Sequence, residues 1–538
     1  MTALPHSTNP EARHLTDGFL RSAAEFPDRT ALEVAGRAFT YRQLHELATA
    51  LAAVLESATP ADGPPLTAVF AHRSLTAFGG VLGALLCGHG YVPLNPRLPA
   101  ARTRTMLDVA GCRAIIVDPA AAEQLESVLE GIDHPLLLVF PEQEDVEAIR
   151  ERWPQHMVIG TRQLQGVESW QVPEVDGHAI AYLLFTSGST GIPKAVMVSQ
   201  ANVLHFVDRM LDRFDVTHED RLSQTFDMTF DVSVFDMFVG WDRGACVCCP
   251  SAATVIKPGK FIRESELTIW FSVPSIALLM KRLGMLKPDL YPTLRWSLFA
   301  GEPLPQEVAR SWSEAAPNST VENLYGPTEV TVICTGYRWD PERSPNECEF
   351  GVVPIGWALP GLEALVVDEH LREVEPGAEG ELIVAGPQVT LGYLNDSAKT
   401  AAAFVVPPGR GERYYRTGDL VRRPGGGGPI SYLGRIDHQV KINGIRVELG
   451  EIEAYLREAS GVDEVVALGW PRSESSALAI TAFVCSDALD TSAVRARMAT
   501  QLPDYMIPKT IHVLPELPLN ANGKIDRKAL VQMLEEGR

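Results

Sequence analysis

The chain is short of positive charge: 47 Lys and Arg residues face 68 Asp and Glu, a formal net charge of −21. That balance argues against a surface that recognises nucleic acid through its phosphates, although it leaves room for a local basic groove. Long apolar runs are missing as well. No stretch reaches the roughly 18 uncharged apolar residues of a membrane helix, so no membrane partner is expected. The polar opening from Met1 to His14 has no apolar core of a secretory signal. Cysteine is sparse, and apart from Cys246, Cys248 and Cys249 it is scattered. That trio lacks a C-x-x-C spacing and lies in an apolar run, which predicts buried strand residues instead of metal ligands. A reducing, cytoplasmic setting is the matching expectation. Internal repeats are absent too.

What is present is α/β texture over 538 residues, too many for a single core. Strand-like runs at 114–117 and 136–140 alternate with helical patterns such as Val203, Phe206, Val207, Met210 and Phe214. From about 351 to 434 short β-type segments (364–368, 381–385) are separated by Gly/Pro turns, and Gly425 to Gly428 reads as a hairpin tip. The last hundred residues suggest a helix at 449–457 and strands at 462–468 and 477–485. A further helix, capped by Thr491 or Ser492, would end before Pro503. The expected architecture is α/β: a large N-terminal domain of α/β subdomains plus a small β-rich subdomain, then a small C-terminal α+β domain. The boundary is expected between residues 1–436 and 437–538.

The richest segment is Ala181-Tyr-Leu-Leu-Phe-Thr-Ser-Gly-Ser-Thr-Gly-Ile-Pro-Lys194. An apolar strand enters a loop of Thr186, Ser187, Gly188, Ser189, Thr190 and Gly191, closed by Lys194. Glycines let backbone N–H groups converge on phosphate oxygens, hydroxyls add donors and the lysine adds charge. It is not a Walker A loop: Pro193 stands where that motif needs glycine, and residues 195–198 read as another strand.

Further segments follow in a fixed order: Phe39-Thr-Tyr-Arg-Gln-Leu44, Tyr91-Val-Pro-Leu-Asn-Pro96, Asn323-Leu-Tyr-Gly-Pro-Thr-Glu329 and Tyr415-Arg-Thr-Gly-Asp419. Then come Gly434-Arg-Ile-Asp-His-Gln-Val-Lys-Ile-Asn-Gly-Ile-Arg-Val-Glu448, Leu502-Pro-Asp-Tyr-Met506 and Asn522-Gly-Lys-Ile-Asp526. Together they make nearly the whole chain resemble the adenylate-forming superfamily, specifically amino-acid adenylation domains of nonribosomal peptide synthetases. The resemblance implies ATP and Mg²⁺. Lys524 would reach from the small domain to the substrate carboxylate and α-phosphate, and Glu329, after Thr328, would hold the metal. Asp419 would accept from the ribose hydroxyls, with Tyr432 and Arg435 beside it. Gly301, Glu302, Asn323 and Tyr325 resemble the adenine-binding set. Asp437 resembles the hinge about which the small domain would exchange Lys524 for the loop from Lys441 to Arg446.

The segment Phe226-Asp-Met-Thr-Phe-Asp-Val-Ser-Val-Phe-Asp236 aligns with the substrate-pocket motif of amino-acid-activating members. Asp231 falls where those enzymes anchor an α-ammonium group, since a carboxylate leaves water only for a partner. Asp227 and Asp236 read as solvated or structural. The matching pocket positions are Asp231, Val232, Phe235, Ser275, Leu298, Ala300, Leu324, Val332, Ile333 and Lys524. An apolar pocket with one hydroxyl suits a small neutral side chain: L-alanine first, then 2-aminobutyrate, serine or glycine, with proline a competitor. One methylene is worth only about 1–3 kcal/mol of discrimination, so specificity should be relaxed.

Several positions depart from the family's pattern: Ala195 replaces glycine, Gln200 histidine and Asn95 aspartate, and Cys87-Gly-His-Gly90 leads into Tyr91. No Leu-Gly-Gly-x-Ser carrier-attachment sequence occurs. The resemblance therefore implies a stand-alone ligase loading a separate phosphopantetheinylated carrier protein in specialised-metabolite, such as antibiotic, biosynthesis. A prolyl- or D-alanyl-carrier protein ligase and an acyl- or aryl-CoA ligase are the alternatives. A silent homologue would lack catalytic groups, yet Lys194, Glu329, Asp419 and Lys524 are all there.

Overall fold

Short apolar segments such as Leu66–Phe70, Gly90–Leu94 and Ala114–Val117 carry no charge and are buried along their whole length. Strands buried on both faces pair in parallel beneath helices, and these three do so. The computed structural model describes residues 13–164, 170–188, 193–251, 254–436, 439–442, 444–471, 477–518 and 525–537.

Among the described residues the first sheet has eight strands. At one side Gly90–Leu94 pairs in parallel with Ile180–Thr186, which turns back antiparallel into Lys194–Ser199. The glycine-rich segment of the sequence falls between these two strands. The second sheet has nine strands, with Arg221–Ser223, Ile269–Ser272, Trp296–Phe299 and Thr320–Tyr325 parallel neighbours at its centre. Parallel strands deliver their following loops to one end of the sheet. Asp231, Ser275, Gly301 and Glu329 each follow one of these four strands, so this topology gathers residues from four parts of the chain.

A third sheet of five strands holds Tyr414–Arg422 against Ser431–Arg435, with Asp419 directly opposite Arg435. The small domain follows: a hairpin of Gln439–Ile442 and Ile445–Glu448, the helix Leu449–Ser460, and a sheet of Val465–Gly469, Ile480–Cys485 and Thr510–Leu514. Its two apolar clusters take their buried members from residues 442–530 and none from the large domain.

Local signals explain several boundaries. Thr40 and Gln43 form a reciprocal cap on helix Tyr41–Ala58, and Ser199 caps Gln200–Arg213, each cap worth about 1 kcal/mol. The expected strands appear at Ala114–Val117, Leu137–Phe140, Glu363–Val367 and Glu379–Ala385. One expectation is corrected: the helix Thr491–Met498 is capped by Asp490, whose carboxylate accepts from the N–H groups of Ser492 and Ala493. A carboxylate at a helix start also meets the helix dipole, which a hydroxyl does less well. The three clustered cysteines are buried, two of them on the strand Cys246–Cys248. No described helix is long and apolar enough to cross a membrane.

Candidate active site

Loops at the end of the second sheet, with segments of the first and third sheets and of the small domain, surround a cavity of about 520 Å³, whose wall includes Asp231, Val232, Ala300 and Val332. Asp231 accepts a hydrogen bond from Thr328; enclosure, with Glu329 adding repulsion, pushes its carboxyl up to about 6. Such a group gains from an incoming cation. The other wall residues named are apolar.

Glu329 lies in the short turn Thr328–Val330 and is fully buried. Burial by itself would raise its pKa, but Arg446 and Lys194 override that and hold it down at about 2. The Tyr393 hydroxyl donates to it at 2.8 Å and Arg446 at 3.0 Å. The chain then makes an unusual turn, with Thr331 at φ 52° and Val332 at φ 69°. Left-handed backbone is costly for β-branched residues and persists only where its surroundings insist on it. Gln388 supplies that insistence. Buried completely, its amide donates to the carbonyls of Val330, Thr331 and Ile333 at 3.3, 3.2 and 2.7 Å.

Elsewhere on the cavity wall, Asp419 accepts from the Tyr325 hydroxyl at 2.5 Å and pairs with Arg435 at 2.8 Å. Asn323 donates to the carbonyls of Val353 and Pro354 at 3.1 and 2.9 Å. Gly301 has φ +92°, and Glu302 beside it accepts from the Ser275 N–H at 2.9 Å and the Gly444 N–H at 2.6 Å. Lys441 also lines the cavity, and loss of water lowers its ammonium pKa although Asp419 and Glu302 oppose that.

The described residues of the glycine-rich segment contact the small domain. Ser187 donates to the Arg446 carbonyl at 3.0 Å and accepts from the Glu448 N–H at 3.1 Å. Lys194 pairs with Glu448 at 3.2 Å, and the Gly188 N–H donates to Glu451 at 3.1 Å. Two carboxylates thus use the Lys194 ammonium and the Gly188 N–H.

Of the expected pocket residues, Asp231, Val232, Ala300 and Val332 line the cavity. Phe235, Leu298, Leu324 and Ile333 are buried in the core behind it, Phe235 lying between Phe214 and Phe271 at centroid distances of 5.8 and 5.2 Å. Tyr432 sits on the strand Ser431–Arg435. Ser189, Thr190, Gly191, Asp437 and Lys524 lie outside the described residues. A solvated Asp236 is ruled out: it is fully buried, which drives its pKa far up. Asp227 is structural, held by His72 at 2.7 Å, Asn95 at 3.0 Å and Thr229. These contacts account for two of the departures from pattern. Asn95 donates where an aspartate would repel Asp227, and Gln200 accepts from the Leu15 N–H at 3.1 Å. The sequence reading missed Gln388, Tyr393, Arg102, Glu448 and Glu451; nothing local marks them, because their partners lie 55 to 349 positions away.

The model of the AMP-binding enzyme family matches residues 19–394, and that of the AMP-binding enzyme C-terminal domain matches 451–524. The chain belongs to the AMP-binding enzyme family. It is therefore an ATP-dependent, adenylate-forming ligase. It is 33% identical to an L-proline--[L-prolyl-carrier protein] ligase of Pseudomonas fluorescens, over 97% of this chain and 99% of that one. It is 34% identical to tyrocidine synthase 3 of Brevibacillus parabrevis over 96% of its own length, but spans only 7% of that protein. Among solved structures, the Vibrio cholerae adenylation domain AlmE in complex with glycyl-adenosine-5'-phosphate superposes with a TM-score of 0.85 at 31% identity. That match covers 99% of this chain and 100% of AlmE.

Proposed function

We propose that this enzyme activates a small neutral L-amino acid, L-alanine foremost, as aminoacyl-AMP and passes it to the phosphopantetheine thiol of a separate carrier protein. The observation that carries the reading is Asp231, a carboxylate with a raised pKa on the wall of a cavity that Val232, Ala300 and Val332 also line. An α-ammonium group restores its charge, and Val232, Ala300 and Val332 leave side-chain space without a polar partner. A relative named as a prolyl-carrier protein ligase and a neighbour holding glycyl-adenylate support a small substrate and a carrier acceptor. Proline is the second reading, favoured by the same apolar wall.

In the first half-reaction a substrate carboxylate oxygen attacks the α-phosphorus of ATP, and the bond to pyrophosphate breaks. In the second the carrier's sulfur attacks the acyl carbon, and the bond to AMP breaks. Lys194 and Lys524 offset the anionic charge of the first step, and Asp419 and Tyr325 hold the nucleoside. Glu329 fits a magnesium ion: it is a hard oxygen donor kept ionised at neutral pH, and a phosphate-bound ion draws its other ligands from phosphate and water. Mg²⁺ would supply charge neutralisation there, and Arg446 has to withdraw from Glu329 to admit it.

Amino-acid-dependent ATP–pyrophosphate exchange tests the reading, with L- and D-alanine, glycine, L-serine, L-2-aminobutyrate, L-proline, benzoate and a fatty acid. Exchange with a small L-amino acid is expected. Exchange only with benzoate or the fatty acid would overturn the role of Asp231.

A further inference from the structure

The small domain meets the large one through a row of polar contacts: Gly444 with Glu302, Arg446 with Glu329, Glu448 with Lys194, and Glu451 with Gly188. In each, the large-domain partner belongs to the group assigned above to nucleotide, phosphate or metal. These contacts must change whenever ligands change. One further contact differs. Arg102, in the first turn of helix Ala100–Ala110 and on the wall of the same cavity, pairs with Glu451 at 2.7 Å, and no ligand group is assigned to it above.

The pair is deeply enclosed, with the side chains 8% and 0% exposed. Glu451 sits in the first turn of helix Leu449–Ser460, where the helix dipole favours an anion. One of its oxygens takes the arginine and the other takes the Gly188 N–H. Without Arg102 a buried carboxylate would keep only a backbone N–H, and breaking a buried pair by removing one partner is far costlier than never having it. The closed position of the small domain depends on both groups being present.

We propose that Arg102 and Glu451 form a latch that holds the small domain in the arrangement that transfers the acyl group, and that the latch closes only when the phosphate loop is empty. The second clause follows from geometry. Glu451 uses the Gly188 N–H, and Glu448 uses Lys194, so bound pyrophosphate and a seated small domain compete for the same donors. Arg102 stands on the cavity wall, but its guanidinium is taken up by Glu451, so it acts as a positioning residue through that carboxylate. The inference rests on the two half-reactions of the preceding section and adds the group that selects between them.

The test separates those half-reactions. Arg102→Met should leave ATP–pyrophosphate exchange within about twofold of the original enzyme. It should slow single-turnover transfer of the radiolabelled aminoacyl group to free pantetheine by about tenfold or more, the smaller end expected for a lost buried pair. Arg102→Lys should recover part of that loss, because it restores charge without the planar fork. Glu451→Gln should slow transfer as Arg102→Met does. Hydrogen exchange on the full-length, nucleotide-free protein supplies a second readout, with faster exchange at Gly188 and residues 439–448 expected in Arg102→Met. Equal transfer rates, equal losses of exchange and transfer, or unchanged hydrogen exchange would each overturn the latch. Failure of the original enzyme to exchange with any amino acid would instead overturn the proposed function, and the hydrogen-exchange comparison would still decide the latch.

Discussion

The two ends of the cavity are built on different principles. At the proposed amino-acid end, Asp231, Thr328 and Val332 come from one domain, and Gln388 braces the turn that carries two of them. At the phosphate end, Ser187, Gly188 and Lys194 have small-domain partners: Arg446, Glu448 and Glu451. On the proposed reading, recognition of the substrate is embedded in packing that cannot relax cheaply. The glycine-rich loop would instead exchange partners, phosphate or carboxylate, which suits a site that must release one product before the next step. A rigid end would set specificity and an exchangeable end would set order.

The comparison can be broken at several places. Removing the anchor should matter most: Asp231→Ala leaves the substrate ammonium without a counter-charge, and exchange kcat/KM should fall on the order of 10²–10³-fold. A fall below tenfold would place the ammonium elsewhere. Next, Gln388→Leu strips the donor from three carbonyls of the strained turn. Leaving such groups unpaired costs on the order of 2–3 kcal/mol, to be read as a lower urea midpoint together with a raised KM for the amino acid. An unchanged midpoint would mean that the turn holds itself.

Gly444→Ala probes the exchangeable end. Gly444 has φ +80°, and an added Cβ would meet Val273 Cγ1 at 2.3 Å. The hairpin should seat poorly, slowing transfer by roughly tenfold, as expected from about 1–3 kcal/mol of strain, while exchange persists. Parallel losses in both assays would show that the two ends are not separable.

The smallest effect is a pH dependence. With the Asp231 carboxyl pushed up to about 6, its ionised form prevails at neutral pH and is lost as pH falls through that value. An ammonium needs the ionised form, so KM for the amino acid should rise by up to about tenfold per pH unit below 6 and stay flat above 7. Glu329, held at about 2, does not titrate in this window. Flat KM down to pH 5 would point to a different anchor.

Much of the fold was legible because its signals are local. Thr40 with Gln43, Ser199 before its helix, and uncharged runs such as Leu66–Phe70 state their structure within a few residues. The motif around Asp231 pointed to a residue that the structure places on the cavity wall. The Asp490 cap was misread because hydroxyls and carboxylates both cap, and only backbone geometry shows which residue stands outside the helix.

What the amino-acid sequence determined by itself was the α/β order of elements, the family and its ATP chemistry, and the identity of the groups with charge to offer: Lys194, Asp231, Glu329 and Asp419. What only the tertiary structure decided was how those charges are used. Arg102 and Glu451 are 349 positions apart, and Gln388 is 57 from the turn it braces. The spacing of residues along a chain has no means of marking such pairs. They exist because two sheets and a docked hairpin enclose a volume in which a buried polar group gains most from a partner, supplied by whatever strand or helix is brought beside it.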